Sequence, residues 1–121
     1  MKIDALTEAE EKFAELLWAN VPINSTLLVG LCEKELGWKK STTYTMLKKL
    51  CSKGLFQNQD ALVQTLQTKE EYRRQQGVRL VEERFGGSLP RFLTAFFGDR
   101  PLTPGQAQEI RELIDAYTEP D

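Results

Sequence analysis

The chain has 121 residues, of which 40% are hydrophobic and 28% are charged, and its formal net charge is −2. These totals are typical of one ordinary globular domain, or of a very small domain with an appended assembly element. No apolar run approaches the roughly 20 residues that cross a bilayer. The acidic N-terminal sequence differs from a secretion signal, so we expect a cytoplasmic protein without direct membrane contact. The chain has no histidine and only two cysteines, Cys32 and Cys51, which argues against the common catalytic triads and zinc sites. We therefore expect that the protein is not an enzyme, that it binds no cofactor or metal, and that both thiols are reduced and structural.

The positive charge of the chain is concentrated in one short segment. Residues 1–38 carry a formal charge of −4, residues 39–54 one of +5 and residues 55–121 one of −3. Because phosphate contacts depend on lysine and arginine, an acidic chain can still bind nucleic acid through a local basic segment. The lysines of this segment, which we expect to form nearly the whole positive surface, are Lys39, Lys40, Lys48, Lys49 and Lys53.

The first 54 residues predict three short helices. Thr7 and Glu10 have the spacing of a capping box at the start of a helix over residues 7–20. Apolar residues at helical spacing predict a second helix that begins after a cap at Asn24 or Ser25 and stops at Gly37. They also predict a third helix over residues 40–54. The buried face of the third helix is expected to consist of Thr43, Met46, Leu47 and Leu50.

Two short strands are predicted next, over residues 55–59 and 62–66, with a turn at Asp60 between them. The order of three helices followed by a hairpin is that of a winged helix. We therefore predict a mainly α fold with a small β-hairpin wing. In this fold residues 1–68 form a winged helix-turn-helix DNA-binding domain.

Residues 69–121 predict a helical dimerisation region. Helical spacing returns over residues 69–85, 89–97 and 103–117. Their apolar side chains are too numerous for a monomer to leave exposed, so we expect a second copy of the chain to cover them. The side chains expected at this interface are Leu80, Phe85, Leu89, Phe92, Leu93, Phe96, Phe97, Ile110, Leu113 and Ile114.

The third helix has short hydroxyl side chains near its N-terminus and ammonium groups toward its C-terminus. In a helix-turn-helix, the N-terminal residues of the second motif helix contact base edges, while flanking cations contact phosphates. A lysine face taken alone is more often only solvated, but the surrounding helix order favours DNA binding. The predicted DNA-binding residues are Lys39, Lys40, Ser41, Thr42, Tyr44, Thr45, Lys48 and Lys49.

Several short motifs follow one another along the chain in a specific order and spacing. They include Leu6-Thr7-Glu8-Ala9-Glu10, Leu17-Trp18, Val21-Pro22-Ile23, Leu47-Lys48-Lys49-Leu50, Lys53-Gly54-Leu55, Phe85-Gly86-Gly87-Ser88-Leu89 and Glu109-Ile110-Arg111-Glu112-Leu113. In this order the sequence resembles, nearly end to end, the BlaI/MecI/CopY penicillinase-repressor family of winged-helix transcriptional regulators. The resemblance implies a repressor that binds a dyad-symmetric operator as a homodimer through the helix at residues 41–53. It also implies that the third helix contacts DNA with Ser41, Thr42 and Thr45, and a phosphate with Lys49.

The predicted wing departs from the family pattern. Family members usually carry several arginine, lysine and tyrosine residues there, whereas residues 57–62 of this chain have no cation and one carboxylate. Fewer phosphate contacts should weaken DNA binding and flatten its salt dependence. An alternative hypothesis is therefore a winged-helix interaction module that has lost strong DNA binding and binds a protein partner or only itself.

Two regulatory features of the family are also altered in this chain. Some members bind copper through a cysteine-rich tail, which is absent here, so direct copper sensing is not expected. Others are inactivated when a membrane sensor-peptidase triggers cleavage of an Asn-Phe bond, which aligns with Ala95-Phe96. Without the asparagine, we favour Phe96 as a buried residue of the dimer core and keep the sensor-peptidase as a candidate partner.

Trp18 and Trp38 are expected to pack against the core rather than stack on bases.

Overall fold

The structure, a computed structural model, describes residues 5–120. These divide between Val78 and Arg79 into two compact units. Residues 5–78 are called the first unit below, and residues 79–120 the second unit.

The first unit has the element order of a winged helix. The predicted sequence of three helices and a hairpin is confirmed, and with it the mainly α fold class. The elements are α1 (Glu8–Asn20), β1 (Ile23–Asn24), α2 (Ser25–Leu36), α3 (Lys40–Ser52), β2 (Phe56–Gln59), β3 (Leu62–Thr65) and the first part of α4 (Lys69–Arg84).

Local side-chain bonds fix where the first two helices begin and end. The capping box of α1 is confirmed, since Thr7 Oγ1 accepts from the Glu10 amide at 3.2 Å and Glu10 Oε1 accepts from the Thr7 amide at 3.0 Å. The side chain of Asn24 caps α2 by accepting from the Thr26 amide at 2.8 Å. Gly37 ends α2 with a φ of +68°, a left-handed conformation that favours glycine.

The sheet has three antiparallel strands in the order β1-β3-β2. The predicted hairpin of β2 and β3 is present, and it pairs Gln57 with Gln64. The strand β1, in which Ile23 lies opposite Val63, was not predicted. Two residues are too few to show the alternation of a strand, so only the pairing with β3 defines β1.

The hairpin turn is tight and is fixed to α2. Asp60 and Ala61 have φ values of 53° and 62°, the left-handed conformation of a two-residue hairpin turn. The carbonyl of Ala61 accepts from the amide of Ser25, the first residue of α2, at 2.8 Å. The wing, defined here as the hairpin over Phe56–Thr65, is therefore held against the start of α2.

The core of the first unit lies between its helices and the sheet. Both tryptophans pack against it, as predicted: Trp18 Nε1 donates to the Gln67 carbonyl at 2.9 Å, and the ring centroids of Trp38 and Phe13 are 5.2 Å apart. Met46, predicted on the buried face of α3, packs against this core but is only half-buried. The largest fully buried side chains are Phe13, Leu17, Leu28, Cys32, Thr43, Leu47, Leu50, Leu55, Phe56 and Val63.

Both cysteines are free thiols, Cys32 buried and Cys51 half-buried. Burial raises the pKa of each thiol, although a hydrogen bond with Thr43 acts in the opposite direction on Cys32, and one with the Asn58 backbone does so on Cys51. A protonated thiol is a poor nucleophile, so this environment agrees with two structural cysteines.

The helix α4 begins in the first unit and is anchored there. Tyr72 is buried, and its hydroxyl accepts from the amide of Leu6 at 3.2 Å. The carboxylate of Glu15 on α1 bonds Lys69 at 2.7 Å and Arg73 at 2.8 Å. The predicted border between the two domains, after residue 68, falls at the start of α4. This border stays a prediction.

The second unit contains the end of α4, α5 (Leu89–Phe97) and α6 (Pro104–Tyr117). Ser88 caps α5 by accepting from the Arg91 amide at 3.2 Å, and Thr103 and Gln106 form a capping box at α6. No side chain among residues 79–120 is buried. Throughout residues 5–120, no helix is long and apolar enough to span a bilayer.

Candidate nucleic-acid interface

The helix α3 turns one face into the core and the other outward. Thr43, Leu47 and Leu50, at steps of four and three residues, are buried. Thr43 also donates from Oγ1 to the Lys39 carbonyl at 3.3 Å, which satisfies its hydroxyl inside the unit. The buried side chains thereby fix which side chains of α3 face solvent.

Most of the predicted DNA-binding side chains of α3 are exposed together. Tyr44 differs from them because it is half-buried and packs against the core. Besides Lys40 at the first position of the helix, five of the predicted side chains are exposed and are called the outer face of α3 below: Ser41, Thr42, Thr45, Lys48 and Lys49.

Four of the five lysines of the basic segment are available at the surface. Lys39, Lys40, Lys48 and Lys49 are exposed, and none of them forms an ion pair with another residue of the described range 5–120. Lys39 is the N-cap residue of α3, and its side chain makes no capping hydrogen bond. The uncapped amides and the positive end of the helix dipole, with two lysines beside them, favour an anion at this end of α3.

The fifth lysine is not part of this surface. Lys53 Nζ lies 2.9 Å from Glu10 Oε2, and the two side chains are 27% and 6% exposed. The prediction that Lys53 belongs to the positive surface is therefore wrong, because a buried carboxylate of α1 takes up its charge.

The carboxylate of Glu10 stays ionised in this environment. Burial alone would raise its pKa, but hydrogen bonds from Lys53 and from the backbone and side chain of Thr7 outweigh burial and lower the pKa to about 2. At neutral pH the pair is thus a carboxylate and an ammonium group that neutralise each other. Sequence reasoning assigned Glu10 only to the capping box, since nothing in the spacing of Glu10 and Lys53 indicates their contact.

The wing has a polar surface without cations. Gln57 Nε2 donates to Gln64 Oε1 across the hairpin at 2.9 Å, and Asn58 and Gln59 are exposed. Leu62 is also exposed, next to the turn. Amide groups can donate hydrogen bonds to DNA but supply no charge to its phosphates.

The predicted interface side chains of the second unit have no partner that buries them within that unit. Of the ten, five are exposed and five half-buried. The half-buried ones include Phe85 and Phe92, whose ring centroids are 5.3 Å apart in an edge-to-face contact. The predicted set leaves out Tyr117, the most exposed large apolar side chain of the unit, although the sequence places it on the same side of its helix as Leu113. The exposed members of the predicted set are Leu80, Leu89, Phe96, Leu113 and Ile114; the half-buried ones are Phe85, Phe92, Leu93, Phe97 and Ile110.

Comparison with known proteins gives one result that covers nearly the whole chain. The penicillinase repressor family matches residues 6–116, a range that contains α3, the wing and most of the second unit. No match was found among the curated proteins. The winged-helix order of the first unit agrees with the family match. The chain therefore belongs to the penicillinase repressor family, a family of transcriptional repressors.

Proposed function

We propose that this chain represses transcription by binding a dyad-symmetric DNA operator as a homodimer, with α3 of each subunit in the major groove. The observation that carries the proposal is the outer face of α3. Its three hydroxyl side chains, Ser41, Thr42 and Thr45, are exposed and lie in the first half of the helix. Short hydroxyl side chains let the backbone approach the bases closely and can donate or accept hydrogen bonds at base edges.

The lysines support the same orientation on DNA. Lys39 and Lys40 stand at the start of α3 and Lys48 and Lys49 toward its end, so base-reading side chains lie between two sets of cations. This is the arrangement in which phosphate contacts position a helix and base contacts provide specificity.

The second unit supports the homodimer. Leu89 and Phe96 on α5, and Leu113 and Ile114 on α6, are exposed, and burial of such a surface in a second copy would stabilise both. A symmetric dimer would carry two copies of α3 to half-sites separated by about 10 base pairs or a multiple of that distance. Repression would be steric, because the bound dimer occludes the promoter.

The neutral wing leads us to expect modest, moderately salt-dependent affinity. If all four exposed lysines of both subunits contact phosphates, the slope of log affinity against log salt is roughly −7. A measured slope near −10 would require cations that neither α3 nor the wing supplies.

Release of the operator by proteolysis has weaker support. The candidate bond between Ala95 and Phe96 lies in α5, and the asparagine of the family pattern is missing. Phe96 is 54% exposed in the single chain, so its predicted burial depends on the second copy. We therefore keep Phe96 as a dimer-core residue and the sensor-peptidase as a candidate partner, to be tested by adding the peptidase and looking for cleavage at residue 95.

The test of the function is selection of genomic DNA by the purified protein, followed by titration of the enriched sequence. We expect one inverted repeat to be enriched and the double variant Lys48→Glu/Lys49→Glu to lose binding by at least roughly 100-fold, since four phosphate-facing charges per dimer are reversed. The matched control is Lys12→Glu/Lys34→Glu, which makes the same change of charge on α1 and α2 and should retain most of the affinity.

The second candidate function is a protein-interaction module. It is favoured by the cation-free wing and by the exposed Leu62 at its turn. If the protein enriches no DNA even at low salt, this candidate gains support. If the α3 double variant still binds the operator, α3 is not the principal reader of DNA.

A further inference from the structure

An ion pair between the half-buried Lys53 and the buried Glu10 joins the end of α3 to the start of α1. Glu10 uses both carboxylate oxygens: Oε1 accepts from the Thr7 amide at 3.0 Å, and Oε2 bonds Lys53 Nζ at 2.9 Å. Lys53 is the C-cap residue of α3, and its amide donates to the Lys49 carbonyl at 3.1 Å. The same lysine thus ends the helix that carries the outer face and fixes that end to α1.

The segment before α1 is also bonded to α4. The amide of Leu6 donates to the buried hydroxyl of Tyr72 at 3.2 Å. Burial raises the pKa of Tyr72, and the charges of Glu11, Lys53 and Glu10 also act on this hydroxyl. Two consecutive residues therefore link the two helices. Leu6 bonds Tyr72 of α4, and Thr7 bonds Glu10, which in turn bonds Lys53 at the end of α3.

An ion pair in this position is an unusual way to stabilise a small unit. Apolar side chains of similar volume stabilise a fold as well as a buried ion pair does, because both charges must be removed from water. What hydrogen-bonded charges add is a directional contact with one preferred geometry. Glu10 and Lys53 therefore restrict the orientation of α3 more than an apolar contact would.

We propose that Glu10 and Lys53 are positioning residues for operator recognition, whose bond fixes the direction of α3 relative to α4. The inference rests on the proposed function of α3. The helix α4 continues without interruption to Arg84 and so carries the chain from the first unit into the second. The angle between α3 and α4 is then one of the quantities that set the half-site spacing accepted by a dimer.

The experiment measures spacing preference in the full-length protein. Three operators are compared: one with the selected half-site spacing, one with a base pair fewer and one with a base pair more. Each is titrated with wild type, Glu10→Gln, Lys53→Met and Lys53→Arg. The temperature is one at which circular dichroism shows every variant to be folded. We expect the preference for the selected spacing to fall at least about fivefold in Glu10→Gln and Lys53→Met, and to be largely restored in Lys53→Arg, which keeps the charge. The matched control is Glu8→Gln, which removes an 88% exposed carboxylate from the same helix turn and should leave the preference unchanged.

A second measurement separates positioning from direct contact with DNA. The slope of log affinity against log salt should be the same in Lys53→Met as in wild type, because Lys53 is occupied by Glu10. A slope less steep by about 2, the loss of one phosphate contact per subunit, would mean that Lys53 binds phosphate and would overturn the proposal. If Lys53→Met does not fold, Glu10→Gln/Lys53→Gln replaces it, since that variant leaves no buried charge unpaired.

The outcomes distinguish this inference from the function on which it rests. If wild type selects an inverted repeat and the folded variants keep its spacing preference, the ion pair only stabilises the fold and the inference is wrong while the function stands. If wild type selects no DNA at all, the proposed function fails first and the inference fails with it.

Discussion

The two units of the chain differ in how far they bury their apolar side chains. In the first unit a set of side chains, among them Phe13 and Leu17, is completely removed from solvent. In the second unit, over residues 79–120, no side chain is buried, although α5 and α6 are both amphipathic. The difference indicates that the first unit has its own core, whereas the second unit does not bury its apolar side chains by itself.

Helix length gives a physical reason for this dependence. The helices α5 and α6 have 9 and 14 residues, and isolated helices shorter than about 12 to 15 residues are marginal in water. Capping bonds at Ser88 and Thr103 help to start these helices but each contributes only about 1 kcal/mol. We therefore expect the stability of the second unit to depend on protein concentration and that of the first unit to be largely independent of it.

The largest effect is expected in the core of the first unit. Phe13→Ala should lower the free energy of unfolding by about 3 to 5 kcal/mol, because it leaves a cavity at a fully buried site. Phe96→Ala, the matched change in the second unit, should instead lower stability in a way that depends on protein concentration. Urea unfolding at two protein concentrations checks both, and equal, concentration-independent losses would contradict the difference between the units.

The next largest effect is expected on assembly. Leu113→Glu should raise the dimer dissociation constant by roughly 100-fold or more, about 3 kcal/mol, since two apolar side chains per dimer become carboxylates. The control is Leu27→Glu, the same substitution at a leucine of α2 that is 68% exposed, against 56% for Leu113. Sedimentation equilibrium should find Leu27→Glu dimeric; a dimeric Leu113→Glu would argue against α6 as part of the interface.

The smallest of the three effects concerns pH and is confined to the first unit. The pKa of Glu10 is lowered in the folded protein from 4.5 to about 2, so the folded state favours the carboxylate. Its contribution, on the order of 2 to 3 kcal/mol, is fully present above pH 4.5 and is lost as the pH falls toward 2.

The measurement is urea unfolding of wild type and Glu10→Gln between pH 7 and pH 2. The two proteins should differ most at neutral pH and converge in acid, because glutamine cannot lose a proton. Glu8→Gln should follow the wild-type curve. A constant difference between wild type and Glu10→Gln at every pH would show that the charge of Glu10 is not what stabilises the fold.

Much of the fold followed from local sequence patterns. The capping box at Thr7, the glycine after α2 and the helical spacing in α3 predict elements whose ends agree with the structure within a residue or two. Hydrogen bonds between neighbours in the sequence determine these features, so the sequence is enough to predict them. The strand β1 escaped prediction because its hydrogen bonds are made with β3, about 40 residues further along the chain.

The candidate DNA-binding face was predicted on the same local basis, with two exceptions that depend on tertiary contacts. Thr43, Leu47 and Leu50 have the spacing of a buried stripe, which leaves the hydroxyls and lysines of α3 outward. Tyr44 lies at the border of that stripe, and packing against the core decides that it is half-buried. Lys53 has the same charge as the four exposed lysines and lies in the same segment of the chain. It differs from them only because it forms an ion pair with Glu10.

The sequence by itself therefore determined the helices, the hairpin, the concentration of lysines around α3 and the excess of apolar side chains toward the C-terminus. It could do so because helical periodicity, capping and turn formation act over a few residues. Only the tertiary structure decided that Lys53 pairs with Glu10 of α1 and so does not belong to the positive surface. It also decided that β1 completes the sheet, and that the first unit buries its apolar side chains while the second does not. These outcomes depend on which distant groups come within a few ångströms of each other, and the spacing of residues along the chain does not contain that distance.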